Sequence, residues 1–335
     1  MTETRYDVLG VGNAIVDVIA SSNDAFLIEH GIEKGGMTLI DEDRAKALYE
    51  VMGAGEEISG GSAANTLAGV ASLGGRGAYV GKVAADQLGE IFAHDLRAAG
   101  VDYDTAPLKG GPATARCLIN VTPDAQRSMC TFLGASTMFS ENDVDAERIR
   151  AATITYLEGY LFDREEAKAA FVRAAEIAQA AGRKVSLTLS DSFCVDRHRD
   201  SFRHLVKNHV DVLFANEDEL KSLYETDDFD AALAQVRAET RVAAVTRSEK
   251  GAVIVSGEET ATVAAEPVDK VRDTTGAGDL FAAGFLLGYA RGAGLAECGR
   301  LGAIAAAEVI SHVGARPQTP LKSLIAEQGA AVPAA

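Results

Sequence analysis

The chain has little cysteine and proline, no tryptophan and no long hydrophobic run. Its four cysteines form no C-x-x-C pair and have no histidine at metal-ligand spacing, so we expect reduced thiols rather than a disulfide framework or a zinc site. No apolar run reaches the roughly 18 residues that a membrane-spanning helix needs, and the first residues are polar without a signal-peptide core. We therefore expect a soluble, cytoplasmic protein.

Positive charge is also scarce. The formal net charge of the 335 residues is −17, which argues against a general nucleic-acid or anionic-membrane binder. An anionic substrate would need a local electropositive pocket, whereas a neutral small molecule would not. Hydrophobic residues make up 47% of the chain, enough for a sizeable buried core.

One polar, glycine-bearing stretch leads directly into an apolar run. It reads DTTGAGD from Asp273 to Asp279, and it predicts a helix that begins at these glycines. Gly276 and Gly278 leave the first N–H groups of that helix uncovered, at the positive end of its dipole, where an anion can bind. A carboxylate beside a phosphate is repulsive unless it has a function. Accepting the proton of a hydroxyl that attacks a phosphoryl group is such a function, so we predict Asp279 as the base and the amides of Gly276, Ala277 and Gly278 as an anion hole.

This stretch resembles the D-T-x-G-A-G-D signature of the ribokinase/PfkB carbohydrate-kinase family, and further landmarks follow in order from about Asp7 to Gly314. Gly60-Gly61-Ser62-x-x-Asn65 is similar to the N-terminal signature of the family. The resemblance implies that Gly61 and Asn65 bind the acceptor. A plain helix start with capping threonines and turn glycines is the alternative for each motif.

Asn13 and Asp17 match the G-N-x-x-x-D element of nucleoside kinases in this group. Four residues apart on a strand, the two side chains would share one face, where they can bind ribose hydroxyls. Ile15 and Met37 would suit a flat purine. The alternatives are a strand-end Asn and a solvent-facing Asp. A dinucleotide-binding fold is disfavoured, because Gly10-x-Gly12 lacks the third glycine of that fingerprint.

Two further elements are implied to bind ATP. Asn216 and Glu219 resemble the N-x-x-E element, with Glu219 holding Mg²⁺ through water. Thr246, Ser248 and Gly251 occupy the place where the family shows T-x-G-x-x-G, with serine replacing the first glycine. Acidic residues in the first turn of a helix also favour its dipole, so a structural role for Glu219 stays open.

The signature itself supplies two more predicted ligands. Thr275 is expected at the nucleotide. Asp273, together with carbonyls of the segment 311–314, is implied to bind a monovalent cation such as K⁺, which would hold the anion-hole turn through its fixed charge. The alternative is that Asp273 only caps the following turn.

Short apolar runs at 153–157, 185–189, 210–215 and 242–246 alternate with helical stretches, which predicts a parallel sheet covered on both faces. The chain is thus an α/β protein, and the resemblance implies a ribokinase-like three-layer sandwich with a mostly parallel central sheet and a small β lid. We expect a single domain over 1–335, with lid segments at about 14–40 and 102–133 and a disordered tail at 328–335. Hairpins are predicted within Phe26–Ile40 and Ala115–Leu133.

The resemblance implies ATP-dependent phosphoryl transfer to the 5′-hydroxymethyl group of a nucleoside, adenosine before others. The alternatives are a kinase of ribose, fructose or a 2-keto-3-deoxy sugar acid, for which Glu158 would bind sugar hydroxyls, and a catalytically silent nucleoside- or sugar-binding regulator. We expect a small-molecule substrate, no nucleic-acid or membrane partner, and either a monomer or a lid-mediated homodimer.

Overall fold

A computed structural model of the protein describes residues 4–124 and 126–334. Residues 1–3 and Ala335, which end the predicted single domain, and Ala125, in the predicted second hairpin, lie outside the described residues. None of the described helices combines the length and the apolar character that crossing a membrane would require.

Most strands are short runs of small and β-branched residues. Within the described residues they are β1 (Tyr6–Val11), β2 (Ile15–Ser21), β3 (Met37–Leu39), β4 (Gly55–Gly60), β5 (Gly77–Val80), β6 (Asp102–Tyr103), β7 (Ala115–Val121), β8 (Arg127–Phe132), β9 (Ala152–Glu158), β10 (Lys184–Thr188), β11 (Val212–Asn216), β12 (Val242–Thr246), β13 (Ala252–Ser256) and β14 (Glu259–Val263).

Many helices begin where an Asp or Asn side chain accepts a hydrogen bond from a first-turn N–H, which satisfies a donor that has no partner within the helix. The helices in the described part of the chain are α1 (Asp24–Glu29), α2 (Glu42–Val51), α3 (Ser62–Ser72), α4 (Gln87–Ala98), α5 (Ala146–Arg150), α6 (Glu165–Ala180), α7 (Ser192–Asn208), α8 (Glu217–Tyr224), α9 (Phe229–Glu239), α10 (Ala277–Ala290), α11 (Leu295–Ile310) and α12 (Leu321–Glu327).

The large sheet has the strand order β14-β13-β12-β11-β10-β9-β1-β5-β6. All neighbours from β12 to β6 pair in parallel, and within the described sheet β13 alone runs in the opposite direction, antiparallel to both β12 and β14. Alternate strand residues face opposite layers: Leu9 and Val11 pack with α5 to α9, whereas Val8 packs with α3, α4, α10, α11 and α12. The predicted three-layer α/β sandwich is confirmed.

A second sheet, which we call the lid, has the order β3-β8-β7-β2-β4. Its outer face carries Val18, Leu118 and Cys130, which are buried under α1 and α2. Asp17, Cys117 and Thr131 are paired neighbours in the register and therefore lie on the opposite, inner face. The hairpin predicted within Ala115–Leu133 is confirmed as β7 and β8.

Other lid predictions differ from the structure. The segment Phe26–Ile40 is not a hairpin: most of α1, capped by Asn23, and the single strand β3 occupy it, and β3 pairs with the distant β8. The lid also contains β4, outside the segments expected at 14–40 and 102–133, whereas β6 within the second segment belongs to the large sheet. These pairings join residues far apart in sequence, so local patterns do not show them.

The C-terminal segment packs against the body. Ala330 is buried, and Arg291 donates a hydrogen bond to the carbonyl of Pro333. The tail expected to be disordered at 328–335 therefore packs, through Ala330, Val332 and Pro333, against the helix layer that contains α10 and α12.

Candidate active site

Three chain segments meet where the inner face of the lid approaches the carboxyl ends of the central strands: the turn between β1 and β2, the start of α3 and the start of α10. In open α/β sheets this end collects ligands. Helices α3 and α10 can approach closely because Gly69 faces α10: a Cβ at Gly69 would lie 2.6 Å from Leu280 Cδ1. The close packing brings side chains from the two helix starts together.

The predicted anion hole lies at the start of α10. Gly276 is the N-cap with φ 82°, a left-handed conformation that favours glycine, and a Cβ there would lie 2.9 Å from the backbone of Ala315. Gly278 faces open space. The Ala277 N–H is turned back to the carbonyl of Thr274 at 3.2 Å, whereas the N–H groups of Gly276 and Gly278 donate to no acceptor among the described residues. Two of the three predicted amides are therefore free for an anion.

Asp279 lies in the first turn of α10 and is held by α3. Ser62 Oγ donates to its Oδ1 at 2.6 Å, and Asn65 Nδ2 donates to its Oδ2 at 3.0 Å. Burial raises the pKa of this carboxyl, against the lowering effect of these two hydrogen bonds and of the positive charge of Arg316. The sequence placed Asp279 and Asn65 in the same site, and the structure joins them directly.

Asn13 does not share a strand with Asp17, contrary to the expectation that both lie on one strand face. β1 ends at Val11 and β2 begins at Ile15, so Asn13 lies in the turn between the two sheets. Its side-chain Nδ2 donates to Glu158 Oε1 at 3.0 Å, and its backbone N–H donates to the same oxygen at 3.2 Å.

Glu158, at the end of β9, is buried beneath this turn. Its Oε2 accepts the N–H of Ala63 at 2.8 Å, so both of its oxygens are occupied by donors of the protein. Burial raises its pKa to about 7. A Cβ at Gly12 would lie 2.3 Å from Glu158 Oε2, and one at Gly10 would lie 2.5 Å from Leu67 Cδ2, so packing explains the Gly10-x-Gly12 pattern. Glu158 therefore joins the turn that carries Asn13 to the start of α3.

Asp17 projects from the inner face of the lid into the cleft. Burial raises its pKa to about 6, opposed by the charges of Arg127 and Arg316 and reinforced by the nearby Asp279. Ile15 is on the same face two residues earlier, and Met37, which pairs with Met129, lies on that face at the other side of the lid. Gly61 has φ 93°, and a Cβ there would lie 2.4 Å from the carbonyl of Asn13, so the two acceptor segments touch.

Asp273 is fully engaged by protein donors. Its Oδ1 accepts the N–H and the hydroxyl of Thr275 at 3.0 and 2.7 Å. Its Oδ2 accepts the N–H of Gly314 at 3.0 Å and the guanidinium of Arg127, which comes from β8 of the lid. Both side chains of this ion pair are nearly buried. Hydrogen bonds from Gly314 and Thr275 hold the pKa of Asp273 below its usual range, despite its burial.

The predicted nucleotide side lies along the ends of β11 and β12, where Asn216 and Thr246 are register partners. Asn216 caps α8 and accepts the N–H of Glu219 at 2.8 Å, while the Glu219 carboxylate accepts both the backbone and the side-chain N–H of Asn216. This reciprocal capping box satisfies the helix start. Burial raises the pKa of Glu219 to about 7.

The loop between β12 and β13 is the place where serine replaces a family glycine. Ser248 has φ 50°, in the left-handed region that costs a non-glycine residue energy, so the chain keeps the backbone turn without the glycine. Gly251 has φ 82°, and a Cβ there would lie 2.0 Å from the carbonyl of Val263.

Four side chains that sequence reasoning missed contribute to the site. Ser62 stands inside a motif and could have been found from its position one turn before Asn65. Burial and the nearby charges of Asp191, Glu219 and Asp279 raise the pKa of Tyr160, after β9, and its hydroxyl donates to the carbonyl of Ser190. Arg127 and Arg316 carried no local signal, because only the tertiary fold brings them to the carboxylates.

Comparison with known proteins gives consistent matches. The model of the pfkB family carbohydrate kinases matches residues 38–322. A curated adenosine kinase of Saccharomyces cerevisiae is 26% identical over 326 residues, covering 91% of this chain and 94% of that protein. Among solved structures, a probable sugar kinase protein from Rhizobium etli is 54% identical with a TM-score of 0.91, covering 97% of this chain and 99% of the other. The adenosine kinase from Sinorhizobium meliloti is also 54% identical, with a TM-score of 0.90 and coverage of 98% and 100%.

Proposed function

This chain belongs to the pfkB family of carbohydrate kinases, and we propose that it transfers the γ-phosphoryl group of ATP to the 5′-hydroxyl of adenosine. It is an ATP-dependent kinase of the carbohydrate and nucleoside type, with a small molecule as acceptor. The adenosine assignment is supported by the relatives named adenosine kinase, which include a solved structure 54% identical to this chain.

One observation supports the catalytic assignment above all. The Asp279 carboxylate is aimed by Ser62 and Asn65 within the first turn of the same helix whose Gly276 and Gly278 N–H groups have no acceptor in the described residues. The proposed base and the proposed anion hole therefore lie side by side. In the proposed reaction Asp279 takes the proton of the 5′-hydroxyl while the oxygen of that hydroxyl forms a bond to the γ-phosphorus. The bond between that phosphorus and the bridging oxygen breaks, and ADP leaves.

The acceptor would bind between the lid and the body. Asp17 would accept the two ribose hydroxyls, Asn13 and Asn65 would fix the sugar, and the Gly61 backbone would approach it closely because no Cβ intervenes. Ile15 and Met37, on the inner face of the lid, would flank the purine.

The nucleotide would bind along the ends of β11 and β12, against Thr246, Ser248, Gly251 and Thr275. Mg²⁺, when bound with ATP, neutralises charge on the phosphates. Among the described residues no group of three or more acidic, His or Cys side chains is arranged to hold a metal directly. Since the Glu219 oxygens already accept from Asn216, we propose that Glu219 contacts the ion through water.

We propose separately that K⁺, bound beside Asp273, raises the activity of the enzyme. The Asp273 carboxylate already accepts from Thr275, Gly314 and Arg127, so a K⁺ ion at that carboxylate would have to displace the Arg127 guanidinium or bind carbonyls beside it.

A sugar kinase is the second candidate, because the Rhizobium etli relative is named a probable sugar kinase at the same identity as the Sinorhizobium adenosine kinase. The test is ADP release by the purified protein with a panel of nucleosides and sugars at matched concentration. We expect adenosine to have the highest kcat/KM. A higher value for ribose, fructose or a sugar acid would replace the adenosine assignment, and no acceptor-dependent ADP release with any compound would favour a silent binding protein.

A further inference from the structure

Arg316 is a partly buried cation at the acceptor end of the proposed site, and no motif explains it. It lies on the loop that follows α11, and this loop is held firmly. The Glu308 carboxylate accepts the N–H groups of Gln318 and Thr319 at 3.0 and 2.7 Å, and the Gly314 N–H donates to Asp273. The backbone of Ala315 packs against the N-cap of α10. The loop is therefore fixed to the anion hole on one side and to α11 on the other.

The guanidinium of Arg316 reaches from this loop to α3. Its Nε donates to Asn65 Oδ1 at 3.1 Å, and Asn65 Nδ2 donates in turn to Asp279 Oδ2 at 3.0 Å. A carboxamide has one acceptor end and one donor end. Because Arg316 can only donate, it fixes which end of Asn65 faces Asp279.

Arg316 also lies among carboxylates that would otherwise repel one another. Its charge interacts with Asp17 on the lid and with Asp279 on α10, and the charge of Asp279 disfavours the ionised form of Asp17. Its Nη2 is buried and has no acceptor among the described residues. A buried donor without a partner is costly, which is explained if the group serves a ligand or a charge that function requires.

We propose that Arg316 is a positioning residue of the phosphoryl-transfer site: it orients the Asn65 carboxamide toward Asp279 and supplies the positive charge that lets Asp279 and Asp17 be ionised together. This inference rests on the proposed kinase reaction and deepens it, because it adds a group that neither the acceptor nor the nucleotide motifs contain. With Arg316 in place, the base faces the 5′-hydroxyl as a carboxylate in one fixed orientation. Without it, the Asn65 oxygen loses its donor, and only the contact with Asp279 holds the carboxamide in that orientation.

The charged and titratable groups around Asp279 influence its pKa and therefore the pH dependence of kcat. Those whose charge interacts with it are Asp17 on β2, Tyr156 and Glu158 on β9, Tyr160 after β9, and Arg316 itself. Among these, Arg316 is the group whose positive charge lowers the pKa of Asp279. Removing it should raise that pKa, and the acid limb of the kcat profile should move to higher pH by about one unit or more.

The experiment compares Arg316→Ala and Arg316→Lys with the wild type and with Arg300→Ala. Arg300, on α11, donates to the carbonyl of Gln328 and is a control for the loss of one arginine. For Arg316→Ala we expect kcat to fall about 10- to 100-fold, the size expected for one lost hydrogen bond to a charged group, with the acid limb shifted upward. Arg316→Lys should retain the position of the limb but regain only part of kcat, since it keeps the charge without the guanidinium geometry. Arg300→Ala should match the wild type.

Chemical rescue separates positioning from folding. Low-millimolar guanidinium, against NaCl at the same ionic strength, should restore part of the kcat of Arg316→Ala and leave the wild type and Arg300→Ala unchanged. Calorimetry should show ATP affinity retained in Arg316→Ala. A kcat within twofold of the wild type, or a lower kcat with an unshifted limb and no rescue, would overturn the proposal. Every variant is assayed with the acceptor that the wild type phosphorylates best. The test of Arg316 therefore remains valid if that acceptor is not adenosine.

Discussion

Replacing Asp279 by Asn tests the proposed base with almost no change in shape. A general base contributes about 10²–10⁴ in rate, which corresponds to about 3–5 kcal/mol of barrier. We therefore expect kcat to fall by that factor. The new amide can keep both contacts, because its oxygen can accept from Asn65 Nδ2 while its Nδ2 donates to the hydroxyl of Ser62, which can also accept. The free energy of unfolding of the variant should therefore stay close to that of the wild type.

The assay is ADP release over a range of pH, with binding of ATP and adenosine measured separately by calorimetry. Because burial raises the pKa of Asp279, wild-type activity should decline as the pH falls through that pKa, while the Asn variant should lack this limb. ATP and adenosine affinities should remain close to those of the wild type.

Ser62→Ala is the matched control, since it removes the 2.6 Å hydrogen bond to the same carboxylate but keeps the base. Its acid limb should move to higher pH, with most of kcat recovered in alkaline buffer. If Asp279→Asn kept activity within a few-fold of the wild type, the base assignment would be wrong, whatever the behaviour of Ser62→Ala.

Three other predictions concern the acceptor, the lid and the cation. Asp17→Ala should weaken adenosine binding by about 1.5–3 kcal/mol and should lose the discrimination against 2′-deoxyadenosine that the wild type should show. Since the pKa of Asp17 is raised to about 6, the KM of the wild type for adenosine should rise as the pH falls below that value. Equal use of ribo and deoxyribo forms by the wild type would exclude a diol-binding role. Adenosine should protect the amides of Ala115–Val121 and Arg127–Phe132 from hydrogen exchange more than ATP alone does, because the lid would close over the acceptor; uniform protection would contradict a mobile lid. Exchanging Na⁺ for K⁺ at constant ionic strength should raise kcat several-fold, and Asp273→Asn should abolish the difference, whereas equal rates in Na⁺, K⁺ and a bulky organic cation would leave Asp273 a structural residue.

The sequence by itself determined the features that depend on local order. The DTTGAGD stretch gives the glycine turn and the following helix, since Gly276 must adopt a left-handed conformation and an apolar run must be buried. Alternation of short apolar runs with amphipathic stretches gave the parallel sheet. The predicted base at Asp279 and its neighbour Asn65 also came from the motifs, because the residues that surround a phosphate are clustered in short segments.

Tertiary structure alone decided which charges meet. Arg127 lies in a lid strand 146 residues from Asp273, and Arg316 lies 251 residues from Asn65, yet both reach the site as donors. The fold also brings the Asn13 side chain into a hydrogen bond with Glu158, at the end of β9. It likewise makes the segment Phe26–Ile40, which was expected to be a hairpin, a helix and a strand that pairs with β8. A sequence pattern shows which face of an element is apolar, but the partner of a buried charge depends on the packing of elements far apart in the chain.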